Sequence, residues 1–282
     1  MPRETTLTRA LGSVLLTLLA CFAAPAAEAA CTLSWTALNF GTYTGTLQTS
    51  VSTGTVNCTS GSGYTIGLNA GTGVGATTTT RKMTGPGGAT LNYQIFQNSA
   101  RTVNWGNTTG TDTVSGTGTG SNQTINVYAQ VLAGQSLGPG TYTDTISTAT
   151  TSFTVTAVVQ ATCSLSAIAL AFGTYTGVVL KAQSTLTINC TNTTAYTIGL
   201  NAGTSSGSTV TSRLLTGAGG VEMGYSLFSD AARTVNWGLT TNTVAGTGSG
   251  VAQTIPVYGQ MPAGQPVKPG TYNDTITATI TY

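Results

Sequence analysis

An internal repeat is the feature that most constrains this 282-residue chain. Three motifs recur at a displacement of 132 residues: FGTYTG from Phe40 and Phe172, YTIGLNAGT from Tyr64 and Tyr196, and RTVNWG from Arg101 and Arg233. The displacement then falls to 130, as in PGTYTDTI from Pro139 and PGTYNDTI from Pro269, which a two-residue deletion in a loop explains. The repeat predicts two homologous domains of about 120 residues each, a usual domain size.

The composition favours strands and disfavours most enzyme classes. The chain has 37 Gly but only 9 Lys and Arg, 7 Asp and Glu, and no His. Glycine, threonine, valine, tyrosine and asparagine suit strands and tight turns, whereas the helix formers are scarce. Without histidine there is no imidazole base and no histidine ligand for zinc or haem. We therefore expect an all-β protein that is not an enzyme, needs no cofactor and binds no nucleic acid.

Apolar residues alternate along several segments, as they do in strands that are buried on one side. Tyr64, Ile66 and Leu68 share one face, and Ile125 and Val127 share another. Stretches rich in Gly, Thr and Asn separate these segments. The pattern predicts antiparallel β-sandwiches with long loops.

Residues 1–30 have the features of a secretory signal peptide. A basic start precedes an apolar run from Leu11 to Ala24, and residues 27–29 form an A-x-A pattern. We expect cleavage after Ala29 or Ala30, and therefore secretion. A lipoprotein signal ending at Cys21 is the alternative. No later segment holds eighteen continuous apolar residues, so we expect no membrane span.

Four cysteines remain after the predicted cleavage, in two pairs that are each 27 residues apart: Cys31, Cys58, Cys163 and Cys190. We predict the disulfides Cys31–Cys58 and Cys163–Cys190, each joining the first strand of its domain to the next strand in sequence. Each would stabilise its domain by about 3–4 kcal/mol on the chain-entropy model. Such bridges imply an oxidising compartment. A zinc site of four thiolates is the alternative, although the spacing lacks the usual close C-x-x-C pairs.

The segment FTVTAVVQAT, residues 153–162, falls outside the repeat, because Tyr282 at the end of the second unit aligns with Ser152. Its apolar residues alternate, so we predict a strand and not a flexible linker. The residues on this predicted buried face are Phe153, Val155, Ala157 and Val159. We expect no comparable strand before Cys31, where the predicted signal peptide ends, or after Tyr282. The predicted organisation is a first domain at 31–152, this linking strand at 153–162, and a second domain at 163–282.

The cysteine spacing, FGTYTG, YTIGLNAGT, RTVNWG and PGTYxDTI together resemble the spore coat protein U domain, the subunit family of archaic chaperone-usher pili. The motifs occur in two tandem copies, which together cover nearly all of the chain after the signal peptide. The resemblance implies two tandem immunoglobulin-like, pilin-type sandwiches that each lack a last strand. In such subunits a periplasmic chaperone lends the missing strand, and assembly at an outer-membrane usher replaces it with the N-terminal extension of the next subunit.

The resemblance gives the linking strand a role. Residues 153–161 would complete the first domain, which has no donor extension of its own. The second domain would accept a strand from a neighbouring pilus subunit along its C-terminal face, formed by Ile276, Ala278, Ile280 and Tyr282. A subunit that accepts but cannot donate ends a fibre, so we expect a structural or adhesive subunit at the tip of a surface pilus. The alternative is a secreted coat or matrix protein that binds polysaccharide without polymerising.

Two tryptophans are the candidate ligand contacts. Trp105 and Trp237 each lie in the RTVNWG motif. Aromatic rings suit sugar faces, and the alternative is that each ring covers the end of its sandwich.

Overall fold

The computed structural model describes residues 30–282. Apart from Ala30, the predicted signal peptide lies outside the described residues. The strands of the first domain are β1 (Cys31–Trp35), β2 (Leu38–Thr42), β3 (Gln48–Cys58), β4 (Gly63–Ile66), β5 (Arg81–Thr84), β6 (Thr90–Phe96), β7 (Val114–Thr117), β8 (Gln123–Val131), β9 (Gly140–Ser147) and β10 (Ser152–Val159). Those of the second domain are β11 (Cys163–Ala167), β12 (Leu180–Cys190), β13 (Ala195–Leu200), β14 (Arg213–Thr216), β15 (Glu222–Phe228), β16 (Val244–Thr247), β17 (Gln253–Met261) and β18 (Ala278–Thr281).

The predicted fold class, two tandem β-sandwiches, is confirmed. Within residues 30–282 the helical elements are two 3-10 turns, Pro86–Gly88 and Ala218–Gly220. No helix in this range is long and apolar enough to cross a membrane.

One long sheet wraps around the core of the first domain. Its strand order is β1-β3-β8-β6-β5-β9-β10-β2, and β4 and β7 form a separate pair. The strand pairs are antiparallel except for β10 with β2, which run parallel. The alternation of β6 and β8 sends Leu91, Tyr93 and Val127 into one hydrophobic cluster, where they are fully buried.

The second domain has its own hydrophobic cluster, enclosed by two smaller sheets. One has the order β11-β12-β17-β15-β14 and the other the order β16-β13-β18. The counterparts of β2 and β9 are not strands here. The two domains therefore share one sequence pattern but differ in how completely their sheets close.

A disulfide joins the first strand of each domain to the strand that pairs with it. Cys31 is bonded to Cys58 and Cys163 to Cys190, with Cα atoms 4.1 Å apart in each pair. In the first domain β2 lies between the two bridged strands in sequence, so the expectation that the bridge reaches the next strand is wrong there. The chain passes from β1 through β2 to the other end of the sheet before it returns as β3.

Candidate functional site

β10 lies between β9 and β2 and closes the first domain. It pairs antiparallel with β9 along its whole length and parallel with β2, where Val155 stands opposite Leu38. The Tyr43 amide N–H also donates to the Val158 carbonyl at 2.8 Å. Both edges of the linking strand are therefore hydrogen-bonded within the first domain.

The side chains of β10 alternate between core and solvent. The predicted residues Phe153, Val155, Ala157 and Val159 are all buried in the first-domain core. Thr154 and Val158 are exposed on the other face. Ala161, which continues the sequence pattern, is exposed because the strand ends at Val159. Burying a large side chain such as Phe153 or Val155 contributes roughly 1.5–3 kcal/mol.

The second domain is open at the position where β10 closes the first. The described residues supply no strand between the segments 167–175 and 267–278, which correspond to the neighbours of β10. These segments border a groove of about 1140 Å³, called here the second-domain groove. Its apolar lining includes Leu170, Phe172, Leu186, Leu227, Met261 and Ile276.

The missing strand changes the burial of matched residues. In the first domain Leu38 and Ile146 are fully buried and Tyr142 is nearly so. Their counterparts Leu170, Ile276 and Tyr272 are only half-buried. The second domain therefore presents to solvent the apolar surface that β10 covers in the first.

The four residues of the predicted acceptor face do not lie on one surface. Ile276 and Ala278 line the second-domain groove, but Ile280 and Tyr282 do not. From Ala278 onward the chain leaves the groove and pairs antiparallel with β13, with Ile280 opposite Ile198. Ile280 packs against the core from that side, and Tyr282 is 57% exposed. The residues that border the groove therefore end at Ala278.

A model of the spore coat protein U domain matches residues 17–148 and again residues 149–279. The chain belongs to the spore coat protein U domain family. A curated member, Protein U of Myxococcus xanthus, is 36% identical over 153 residues, which span 48% of this chain and 86% of that protein.

Two solved structures were also matched to this spore coat protein U chain. One is the CsuC-CsuE chaperone-tip adhesion subunit pre-assembly complex from archaic chaperone-usher Csu pili of Acinetobacter baumannii. It has a TM-score of 0.49 and 17% identity over 80% of this chain and 89% of that one. The other, the CupB6 tip adhesin of Pseudomonas aeruginosa, has a TM-score of 0.41 and 11% identity over 89% of this chain and 94% of that one.

The tryptophans of the two spore coat protein U domains are core residues. Trp105 and Trp237 are both completely buried, so the prediction that they contact a ligand is corrected. Their indole N–H groups donate to the carbonyls of Ile66 and Ile198, each at 2.9 Å. A ring held inside the sandwich in this way presents no face to a sugar.

Each spore coat protein U domain also buries an arginine, which sequence patterns did not identify. Arg81 is fully buried and donates to four backbone carbonyls, including those of Leu68 and Trp105. Burial lowers the pKa of Arg81 to about 10. Arg213 makes the equivalent contacts in the second domain. The available sequence signal is that an arginine occupies the same position in both repeats, Arg81 and Arg213.

An aspartate holds the long loop beside each of these arginines. Tyr93 donates to Asp144 at 2.7 Å, and Tyr225 donates to Asp274 at the same distance. Asp274 lies on the wall of the second-domain groove. Burial works to raise its pKa, but hydrogen bonds from Thr204, Tyr225 and Thr275 leave that pKa below its ordinary value. The carboxylate at the groove wall is thus ionised and already satisfied by hydrogen bonds, so the rest of the groove is left for apolar contacts.

Proposed function

We propose that the chain is a secreted subunit of a chaperone-usher fibre whose second domain is completed by a strand from another protein. The observation that carries this proposal is the second-domain groove, which is open at the position where β10 closes the first domain. Membership of the spore coat protein U domain family supports it.

The first domain indicates what the occupant of the groove looks like. β10 is eight residues long, buries every second side chain, and pairs along both edges. The segments 167–175 and 267–278 lie on both sides of the groove and would offer the same kind of pairing to an inserted strand. We infer an extended segment of about eight residues with four alternating apolar side chains, the first of them aromatic.

The linking strand acts as a donor within the chain in this scheme. Residues 153–162 connect a first domain at 31–152 to a second domain at 163–282, and their buried face serves only the first. The first domain therefore needs no external strand, and the second needs one. A periplasmic chaperone would supply it during transit, and a neighbouring subunit would supply it after addition at the outer-membrane usher.

A position at the fibre tip follows from the predicted signal cleavage. Cleavage after Ala29 or Ala30 would place the new N-terminus next to β1, where Cys31 is already bonded to Cys58. The mature chain would then have nothing to donate to a subunit ahead of it. We propose an adhesive or capping role at the tip, and N-terminal sequencing of the secreted protein tests the cleavage site. The polysaccharide-binding alternative loses its candidate platform, because both Trp105 and Trp237 are buried.

Periplasmic expression with and without a chaperone encoded beside the gene tests the proposal. We expect the chain to accumulate as a one-to-one complex with the chaperone and to be degraded without it. The matched control replaces residues 278–282 by a copy of residues 148–161, which supplies a hairpin and a donor strand within the chain. That variant should accumulate alone and no longer bind the chaperone. Equal accumulation of the unaltered chain with and without chaperone would contradict the proposal.

A further inference from the structure

The two domains diverge immediately after one shared hydrogen bond. The Asn69 N–H donates to the Ser147 carbonyl at 3.0 Å, and the equivalent Asn201 N–H donates to the Thr277 carbonyl at 3.1 Å. After Thr277 the second domain continues straight into β18. After Ser147 the first domain turns, with the Thr148 N–H donating to the Thr151 carbonyl, and enters β10.

Among residues 30–282, this turn leaves one edge of β4 without a partner strand. In the second domain β13 lies between β16 and β18, whereas the corresponding β4 pairs with β7 alone. Hydrogen-bonded positions alternate along an antiparallel pair, so the bond at Asn201 implies that Thr197 and Gly199 bond to β18. By the same alternation the amides of Thr65 and Gly67 face the free edge of β4.

An apolar cleft lies beside this edge, called here the first-domain cleft. Its volume is about 250 Å³, and its lining includes Leu33, Val56, Tyr64, Ile66 and the turn residues 148–150. The second-domain counterparts of its first four residues are Leu165, Ile188, Tyr196 and Ile198, and the described chain places Ile280 against that surface.

Burial of matched residues shows what β18 covers. Ile198 is completely buried and Tyr196 is 6% exposed. In the first domain Ile66 is 6% exposed and Tyr64 is only half-buried. The clear difference is at Tyr64, which is more exposed than its counterpart Tyr196, whereas the isoleucine is buried both without a covering strand, as Ile66, and with one, as Ile198.

We propose that the first-domain cleft binds an extended segment of a partner subunit, added antiparallel to β4 in the register that β18 has on β13. This inference does not depend on the second-domain groove accepting a donor strand. The cleft has no charged residue in its lining, so the segment is uncharged there. It resembles Thr279–Tyr282, with an isoleucine-sized side chain opposite Ile66 and polar residues on either side.

Binding of such a segment is favourable because the apolar first-domain cleft lies beside unpaired backbone groups of β4. A strand edge with free N–H and C=O groups readily pairs with another chain, and proteins usually cover or block such edges. Here the edge belongs to a short strand, so the added segment makes few hydrogen bonds and depends on the apolar side chain opposite Ile66. A charged residue in place of this apolar side chain should therefore prevent binding.

Hydrogen exchange on the full mature chain tests this site. The probe is a synthetic peptide with the sequence of residues 279–282, because residues 146–148 already occupy the positions equivalent to 276–278, and the readout is exchange at the amides of Thr65 and Gly67. At about 90% occupancy their exchange should slow by about tenfold. The same peptide with aspartate in place of Ile280 should give no protection.

A proline variant separates edge pairing from other modes of binding. Thr65→Pro removes a backbone N–H that faces the cleft, and an edge strand tolerates proline at such a position. The variant should fold and lose the peptide effect. The matched Thr197→Pro breaks an existing bond to β18 and should lower the melting temperature of the second domain.

Two results would overturn the inference. One is a failure of the edge test: no protection of Thr65 and Gly67 at saturating peptide, or protection of Gly67 in Thr65→Pro equal to that in the unaltered chain. The other is protection that rises with protein concentration without peptide, because the occupant would then be a second copy of the chain and not a different subunit.

Discussion

The rings of Trp35 and Phe153 lie 5.4 Å apart, centroid to centroid, and join β1 to the start of β10. Trp35 also stands opposite Gly54, where an added Cβ would clash with the indole ring. In the second domain the corresponding pair is Ala167 opposite Leu186. In the first domain the larger side chain of the pair, Trp35, lies on the first strand. In the second domain the larger side chain is Leu186, which lies on the partner strand and is smaller than tryptophan. The space next to the first donor residue therefore differs between the two domains.

This difference predicts opposite responses to a larger donor residue. Phe153→Trp should overpack the first domain and destabilise it by about 1–3 kcal/mol, because Trp35 already fills the adjacent space. A peptide of residues 151–161 carrying the same change should bind the second-domain groove at least as tightly as the unaltered peptide, since Ala167 leaves room there. Calorimetry measures both effects.

The reciprocal double substitution is the control for this prediction. Ala167→Trp with Leu186→Gly should make the groove prefer phenylalanine over tryptophan. If both domains of the unaltered chain prefer phenylalanine over tryptophan at this donor position, then the difference between the Trp35–Gly54 and Ala167–Leu186 pairs does not affect which donor residue binds.

A charge on the buried face of β10 should unfold the first domain selectively. Val155 is completely buried, so Val155→Asp places an unpaired carboxylate in the core and should cost about 3 kcal/mol or more. The neighbouring Thr154 is exposed, and Thr154→Asp should change the stability by less than about 0.5 kcal/mol. Chemical denaturation of the two variants measures the contrast, and equal damage from both would mean that β10 is not part of the first-domain core.

The Tyr225–Asp274 contact should make the second domain sensitive to acid. Because the pKa of Asp274 is lower in the folded state than its ordinary value of 3.8, its contribution to stability is complete above about pH 5. That contribution disappears as the pH falls through the lowered folded value. Asp274→Asn should therefore be less stable at neutral pH and lose less of its remaining stability in acid. Melting curves between pH 2 and 7 test this, and parallel pH profiles for the two proteins would contradict it.

Local patterns predicted those parts of the fold that depend on neighbouring residues in sequence. The period of two along residues 153–159 identified which side chains of β10 enter the core, because successive side chains of a strand face opposite sides. The repeat likewise indicated two domains of one architecture. The same alternation predicted Ile276 and Ala278, which line the second-domain groove.

Contacts between distant segments could not be predicted in this way. Arg81 is buried because carbonyls at Leu68, Asn69, Thr78 and Trp105 converge on it, and no spacing in the sequence encodes that convergence. The same holds for β18, whose alternation continues to Tyr282 although the strand pairs with β13 and leaves the groove. The sequence period identifies a face of a strand, but not the surface against which that face packs.

Thermal unfolding of the full mature chain with a peptide of residues 151–161 tests the central claim most directly. We expect the second domain to unfold in a separate transition below that of the first, and this lower transition to rise and saturate as peptide is added. The same peptide with aspartate in place of Val155 should leave it unchanged. A single transition, or a lower transition that the unaltered peptide does not move at saturating concentration, would contradict the claim that the second-domain groove accepts an external strand.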